Sequence, residues 1–347
     1  MKLRINPAIM LLWLFVLSVS GQPAVQPDKR KESKLAFNLG VTNIENNNFE
    51  LAVTNFSKAI ELNPSNDLAY MERGKLKVKL NKIDDGLQDI NKSIAINQSL
   101  AEAYFVRGYI KFLKKEYNIA LQELTLAVQY GYTEAVVYYF RGLVRYKLQD
   151  FNNALLDFTF AIDKKYDFAY AYHERASTKI ALNDLRGALQ DYDQTITYEP
   201  QIAIAYNNKG TTKMKTGNYE GAINDYTKAL ELDPKYVKAL NNRGTAKYNM
   251  NEKEKALEDF QVALQLKADY AFLYNNIAVV KSKMEDNKAA LENFNKALEL
   301  NKNYGVAYLN RGMLRELLGD TKGSCDDWKK AKELKMSESE TFLKDCK

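Results

Sequence analysis

Histidine occurs once in these 347 residues, cysteine and tryptophan twice each, and proline six times. Each scarcity excludes something. A hydrolytic dyad needs a base beside its nucleophile, and the single His173 has no cysteine or motif-borne serine beside it. No glycine-rich phosphate loop, dinucleotide fingerprint or metal-ligand cluster occurs, so no cofactor is expected. Acidic residues are plentiful, but abundance is not a site. Charge of one sign is also lacking. Fifty Lys and Arg against 44 Asp and Glu leave +6, too mild an excess for a nucleic-acid partner. These absences point to a protein that binds rather than catalyses.

Long apolar runs are absent too, apart from one at the start. Residues 1–21 read as a signal peptide: Lys2 and Arg4 charge its beginning, Ile9 to Val19 are apolar except Ser18, and small residues follow. The run is short for a membrane-spanning helix. The expected mature chain carries a net charge of +4, six less the two lost with Lys2 and Arg4. It has no membrane span and is exported to the periplasm, the cell envelope or the exterior. Residues 22–32, polar with two prolines, read as a flexible linker.

The rest is periodic. Gly40, Gly74, Gly108, Gly142, Ala176, Gly210, Gly244, Ala278 and Gly312 follow one another at intervals of 34 without a slip. A second small residue comes twelve positions later (Ala52, Gly86, Ala120 and so on to Ser324), and a third seven beyond that. Small residues at these places let two helices approach closely while Tyr, Phe and Leu fill the gaps. Pro64, Pro200 and Pro234 fall where a second helix must stop.

With "GNYEGAINDYTKALELDPKY" at 217–236, this pattern closely resembles the tetratricopeptide repeat, in nine units over 33–338. The resemblance implies an all-α, right-handed superhelical solenoid of helix-turn-helix repeats whose concave groove binds peptides or proteins. The sequence departs from the family at the seventh position, usually leucine. Here it holds Arg73, Arg107, Arg141, Arg175, Lys209, Arg243 and Arg311, and the twenty-third holds Asp89, Glu123, Asp157, Asp191, Asp225, Asp259 and Asp327. Units one and eight lack both halves, with Leu39 and Ile277 facing Asn55 and Asn293. A hairpin turning near the fifteenth position would set each cation beside its carboxylate, with the basic residue one turn on (Lys77 to Arg315) placed to share it. A basic groove for acidic ligands competes with this reading, but each cation has a carboxylate to answer it.

In the family the second, fifth, sixth, ninth, twelfth and thirteenth positions line the groove. Units three and four place Phe105, Tyr109, Phe112, Tyr139, Phe140 and Tyr146 there. These rings are extra to the core positions and are expected to be largely exposed, as an apolar subsite or a surface for self-association. Units six to nine place Asn207, Asn208, Asn241, Asn242, Asn275, Asn276 and Asn310 there. Their side-chain amides can donate to and accept from a peptide backbone. Repeats about 10 Å apart would meet roughly every third residue of an extended chain. The row resembles the asparagine ladder in the repeat domain of O-linked N-acetylglucosamine transferases, with a solvated polar face as the competing reading. Unit five interrupts it with Glu174. The paired Lys/Asn clamp for carboxylate tails is missing, since Val41, Lys75 and Tyr109 hold the ninth position in units one to three.

Cys325 holds a position that is apolar in every other unit and would be covered by a following repeat. The tail, 339–347, carries Ser339, Phe342, Leu343 and Cys346 on one helical face. The reading taken is a capping helix that joins Cys346 to Cys325 in a disulfide; two buried thiols or a metal site compete. The ending "CDDWKKAKELK" resembles secreted repeat proteins of the Bacteroidota. The expectation is a non-catalytic scaffold for a peptide or protein partner, with a structural or regulatory subunit of an envelope or secretion assembly as the alternative.

Overall fold

The computed structural model describes residues 27–346; the expected signal peptide lies outside them. Among the described residues there are nineteen α-helices and no strand. The first helix begins at Pro27, so the second half of the expected linker is helical instead. Proline is tolerated in a first turn, Asp28 favours the amino end, and the Lys/Glu run that follows is a good helix former.

The chain forms two compact units, 1–150 and 151–347. Unit one holds three hairpins: α1 (Pro27–Glu45) with α2 (Phe49–Leu62), α3 (Asp67–Lys79) with α4 (Ile83–Ile96), and α5 (Ala101–Leu113) with α6 (Tyr117–Gln129). Helix α7 (Ala135–Lys147) follows. Unit two begins with α8 (Phe151–Lys164). Five hairpins succeed it: α9 (Ala169–Ala181) with α10 (Leu185–Tyr198), α11 (Ala203–Lys215) with α12 (Tyr219–Leu232), α13 (Val237–Asn249) with α14 (Lys253–Leu266), α15 (Ala271–Lys283) with α16 (Asn287–Leu300), and α17 (Gly305–Leu317) with α18 (Thr321–Glu333). Within each unit the first helices of successive hairpins also touch one another, forming one wall.

The hairpins turn where the spacing places the turn. The fifteenth residue of each 34-residue repeat, from Asn47 (φ 58°) to Gly319 (φ 82°), is left-handed. Asparagine and glycine hold most of these positions, as the αL region favours. Five helix starts are capped by side chains that accept from the third residue on, as Asn66 does from Ala69 and Asp184 from Gly187. Where two helices cross, Gly244 lies against Phe260, and a Cβ there would come within 2.6 Å of the ring. That close approach leaves Phe260 fully buried, a gain of roughly 2–3 kcal/mol.

The cation–carboxylate pairs form. Arg73 grips Asp89 through two nitrogens at 2.8 and 2.7 Å, and Arg175, Arg243 and Arg311 hold Asp191, Asp259 and Asp327 in the same way. Arg107 meets Glu123 at 2.8 Å. Lys77, Lys179, Lys213, Lys247 and Arg315 reach the same carboxylates at 2.7–2.9 Å. Lys209 departs from the pattern: it sits 3.8 Å from Asp225 and 2.6 Å from Asp193 of the preceding hairpin. Arg141 and Asp157, the remaining expected pair, belong to different units. The cation also bonds the twenty-fifth residue of the preceding hairpin, as Arg73 does Ser57 (3.0 Å) and Arg243 does Thr227 (3.2 Å). The clamp therefore fixes the stacking of neighbouring hairpins as well as the register within each.

The tail closes the last hairpin. Cys325 and Cys346 are joined in a disulfide, their Cα atoms 5.7 Å apart. Phe342 stacks on the buried Trp328 at 5.0 Å. The expected capping helix is short: α19 (Ser339–Phe342) gives way to a 3-10 turn over Leu343–Asp345. The turn carries the chain down to Cys325.

Candidate functional site

Asparagine in the middle of a helix competes with the backbone and lowers helix propensity. Asn207 and Asn275 are also buried, where an unpaired amide would be costly. Their partners are one another. Asn310 Nδ2 donates to Asn275 Oδ1 at 3.0 Å, and Asn275 Nδ2 to Asn276 Oδ1 at 3.2 Å. Asn276 then donates to Asn241 (2.9 Å), Asn241 to Asn242 (3.4 Å), Asn242 to Asn207 (3.1 Å) and Asn207 to Asn208 (3.1 Å). Each fifth-position amide joins its own sixth-position neighbour to that of the next hairpin, so the seven asparagines make one relay with every amide pointing the same way.

The relay ends on a residue that sequence reasoning passed over. Asn208 Nδ2 lies 3.1 Å from His173 Nε2, and His173 Nδ1 lies 3.1 Å from Glu174 Oε1. An amide nitrogen only donates and an ionised carboxylate only accepts. The tautomer is therefore fixed: Nδ1 carries the proton and Nε2 accepts. The fifth repeat, which carries Glu174 at the sixth position, ends the row. The signal was available, because His173 occupies the fifth position in register with Asn207, Asn241 and Asn275.

Threonines support the relay from below. Thr211 and Thr245 donate back to the carbonyls of Asn207 and Asn241, both at 2.9 Å. Tyr226 donates its hydroxyl to Thr211 at 3.2 Å, and burial pushes that phenol up to about 12. Asn208, Asn242, Asn276 and Asn310 are half-buried. Two hollows adjoin the far end of the relay. One of 490 Å³ is lined by Val279, Lys283, Asn310, Met313 and Leu317. The other, of 280 Å³, is lined by Tyr248, Asn275, Asn276 and Asn310. A larger hollow of 670 Å³ lies at the start of unit one beside Ser33 and Asn66. There Asn66 donates to Ser33 (3.4 Å) and Ser33 to the Ala59 carbonyl (2.8 Å).

The aromatic row differs from the expectation. Phe105, Tyr109, Phe112, Tyr139, Phe140 and Tyr146 are all half-buried, and none is an exposed ring. Phe140 gathers them, with Tyr109 at 4.8 Å, Tyr139 at 5.4 Å, Phe112 at 5.7 Å and Phe105 at 6.2 Å between ring centres. Tyr132 stacks on Phe105 from the loop before α7 at 5.0 Å. Rings at helical spacing on adjoining helices reach one another and bury one another's faces. Among the described residues, no group of three or more His, Cys, Asp or Glu is placed to hold a metal.

A wall of repeated first helices carrying one polar relay defines a helical-repeat binding scaffold. Family models described as tetratricopeptide repeat match residues 33–66, 203–236, 225–258 and 273–304. Those stretches are tetratricopeptide repeats. Among solved structures, a tetratricopeptide repeat protein of Parabacteroides merdae is similar, with a TM-score of 0.61 and 20% identity, over 72% of this chain and 98% of that one. PilF of Pseudomonas aeruginosa gives 0.55 and 18%, over 61% and 96%. YrrB, described as a repeat protein with an unusual peptide-binding site, gives 0.49 and 25%, over 53% and 95%. These likenesses concern the fold. No curated protein matches the chain by sequence.

Proposed function

We propose that the chain is a non-catalytic scaffold that holds an extended peptide segment of a partner protein along Asn208, Asn242, Asn276 and Asn310. The carrying observation is what the relay leaves over. An amide has two N–H donors and two acceptor lone pairs, and the relay uses one donor of each of these four. The second N–H is then offered at a spacing of about three extended residues by Asn208, Asn276 and Asn310, while that of Asn242 also reaches Thr211 Oγ1 at 3.4 Å. The adjoining hollows, with Val279, Met313 and Leu317, favour apolar side chains in the same segment. The packed aromatic row of unit one is the secondary apolar subsite of this reading. The disulfide fits an oxidising compartment and supports export to the periplasm, cell envelope or exterior.

The test is selection of a random twelve-residue displayed peptide library on the full chain, followed by titration of the selected peptides. The variant Asn208→Ala/Asn242→Ala/Asn276→Ala should weaken them about 100-fold, at ~1 kcal/mol per lost hydrogen bond, with its helix content intact. Selected peptides that bind this variant as tightly as the parent would remove the asparagines from the site. Failure to select any peptide would move the function to a folded partner in an assembly.

A further inference from the structure

The relay has a direction, and one group can reverse it. Every Asn in it donates through Nδ2 to the next Oδ1, and the last donates to an unprotonated imidazole nitrogen, His173 Nε2. At the opposite end Asn310 receives no bond from any described residue, so its Oδ1 faces the hollow as an acceptor beside Met313 and Leu317. We infer that His173 is the positioning residue of the asparagine row: its Nε2 sets which way all seven amides point, and so which atom Asn310 offers to a ligand.

A proton taken up at Nε2 turns that nitrogen into a donor facing the donor Nδ2 of Asn208. Two donors cannot share one hydrogen bond, so Asn208 turns its amide over to present Oδ1. Its Nδ2 then meets the Nδ2 of Asn207, which must turn in its turn, and the reversal passes link by link to Asn310. There the open group changes from acceptor to donor, four hairpins and about 40 Å from the histidine. Besides the amide planes only the Thr211 hydroxyl must turn, from the Asn207 carbonyl to the reversed Asn242, whose Nδ2 it now accepts at 3.4 Å. Bonds between ordered amides polarise one another, which favours a common direction over a broken link.

The surroundings of His173 fit this role. On its own helix, Glu174 holds Nδ1–H and keeps the ring in place. From α10 the edge-on Tyr192 ring lies 5.6 Å away, and the charged neighbours Asp191 and Asp193 are engaged by Arg175, Lys179 and Lys209. From α11 the ring meets the neutral Asn208. From α8, Thr159 accepts from Arg175, two residues along α9 from the histidine. Glu174 is thus the one ionised group bonded to the imidazole within the unit.

The consequence for binding rests on the groove being a peptide site; the relay itself does not, and its test needs no ligand. The side-chain amide signals of the full chain, labelled with ¹⁵N at asparagine, are followed as the pH is lowered from about 8 to 5. The signals of Asn208, Asn242, Asn276 and Asn310 should move together with one midpoint. They should stay still in His173→Gln, whose amide is neutral throughout. In Asn242→Leu, which cuts the relay, Asn208 should still respond while Asn276 and Asn310 no longer do. A response confined to Asn208, one that persists in His173→Gln, or one that reaches Asn310 past the cut would overturn the inference. A shared midpoint in a protein that selects no peptide would uphold the relay while the binding reading failed. Peptide binding without a shared midpoint would sink the relay alone.

Discussion

The same two positions of the repeat build opposite surfaces in the two units. In unit one the fifth and sixth places hold Phe105 with Val106 and Tyr139 with Phe140; in unit two they hold Asn207 with Asn208, Asn241 with Asn242 and Asn275 with Asn276. Rings at these places satisfy themselves by packing, and Phe140 gathers four others within 6.2 Å. Amides cannot do so, because each buried donor and acceptor needs a partner of the opposite kind. They therefore form a directed line rather than a cluster. Beneath both surfaces lies one device, Arg73 on Asp89 in unit one and Arg243 on Asp259 in unit two. The scaffold fixes where a side chain stands, and the chemistry of that side chain decides whether its neighbours become a wall or a wire.

The comparison is broken most severely by attacking what the units share. Asp89→Ala and Asp259→Ala each strand two cations at a half-buried site. Each should cost about 3 kcal/mol or more, equally in the two units, as read by urea denaturation and by hydrogen exchange of the affected hairpin. A cost below ~1 kcal/mol in both would show the clamp to be a solvated pair like most surface ion pairs. Next in size is a feature of unit two alone. Opening the 21-residue loop closed by Cys325 and Cys346, by Cys346→Ser, should remove about 3 kcal/mol. The loss should stay in α17 to α19, leaving unit one untouched.

The two surfaces separate at the next level. Phe140→Ala should cost about 2–3 kcal/mol, less than a fully buried ring because Phe140 is half-buried, and leave peptides selected on unit two bound. Asn242→Ala should cost only ~1 kcal/mol in stability while weakening those peptides. The reverse pattern would exchange the roles of the two faces.

Much of this was legible in the sequence because the repeat converts position into place. A seventh-position cation and a twenty-third-position acid stand equally far from the turn, so pairs such as Arg311 with Asp327 follow from counting alone. The absence of both partners where Leu39 and Asn55 stand supports the same geometry. Cys325 and Cys346 were readable for a similar reason, as the last unit has no successor to cover its end. Counting within one unit did not show what crosses between units. The bonds from Arg73 to Ser57 and from Asn242 to Asn207 join neighbouring hairpins, and their distances depend on how hairpins stack. His173 taken alone reads as a catalytic base without a nucleophile; only its register with Asn207, Asn241 and Asn275 makes it the fifth residue of a repeat. Each ring around Phe140 reads singly as exposed, but adjoining rings cover each other.

Alkali should divide the units more gently. Burial holds the phenol of Tyr226 in unit two up to about 12, whereas an unfolded tyrosine titrates near 10. Above pH ~10 the unfolded chain loses this proton and the folded chain does not. The contribution is thus complete below pH ~10 and falls away as pH rises through about 12. Urea midpoints of unit two should drop between pH 9 and 11.5, and Tyr226→Phe should flatten that limb while losing the bond to Thr211. An unchanged limb in Tyr226→Phe would assign the alkaline loss to other groups, Tyr304 first, which burial also holds at about 12.

The smallest effect tests whether the turn belongs to the repeat or to the unit. The fifteenth residue is left-handed in both, yet Lys115 (φ 60°) in unit one and Glu285 (φ 63°) in unit two hold it without the local hydrogen bonding of asparagine or the freedom of glycine. A left-handed residue with a Cβ costs roughly 1–2 kcal/mol, offset in part by the greater unfolded freedom of glycine. Lys115→Gly and Glu285→Gly should therefore each stabilise by about 0.5 kcal/mol, a small rise in urea midpoint at constant slope. Equal gains would make the turn a property of position fifteen alone. A gain in one unit and a loss in the other would mean that Lys115 or Glu285 makes a contact that its glycine replacement forfeits, and that the turns are as differentiated as the surfaces above them.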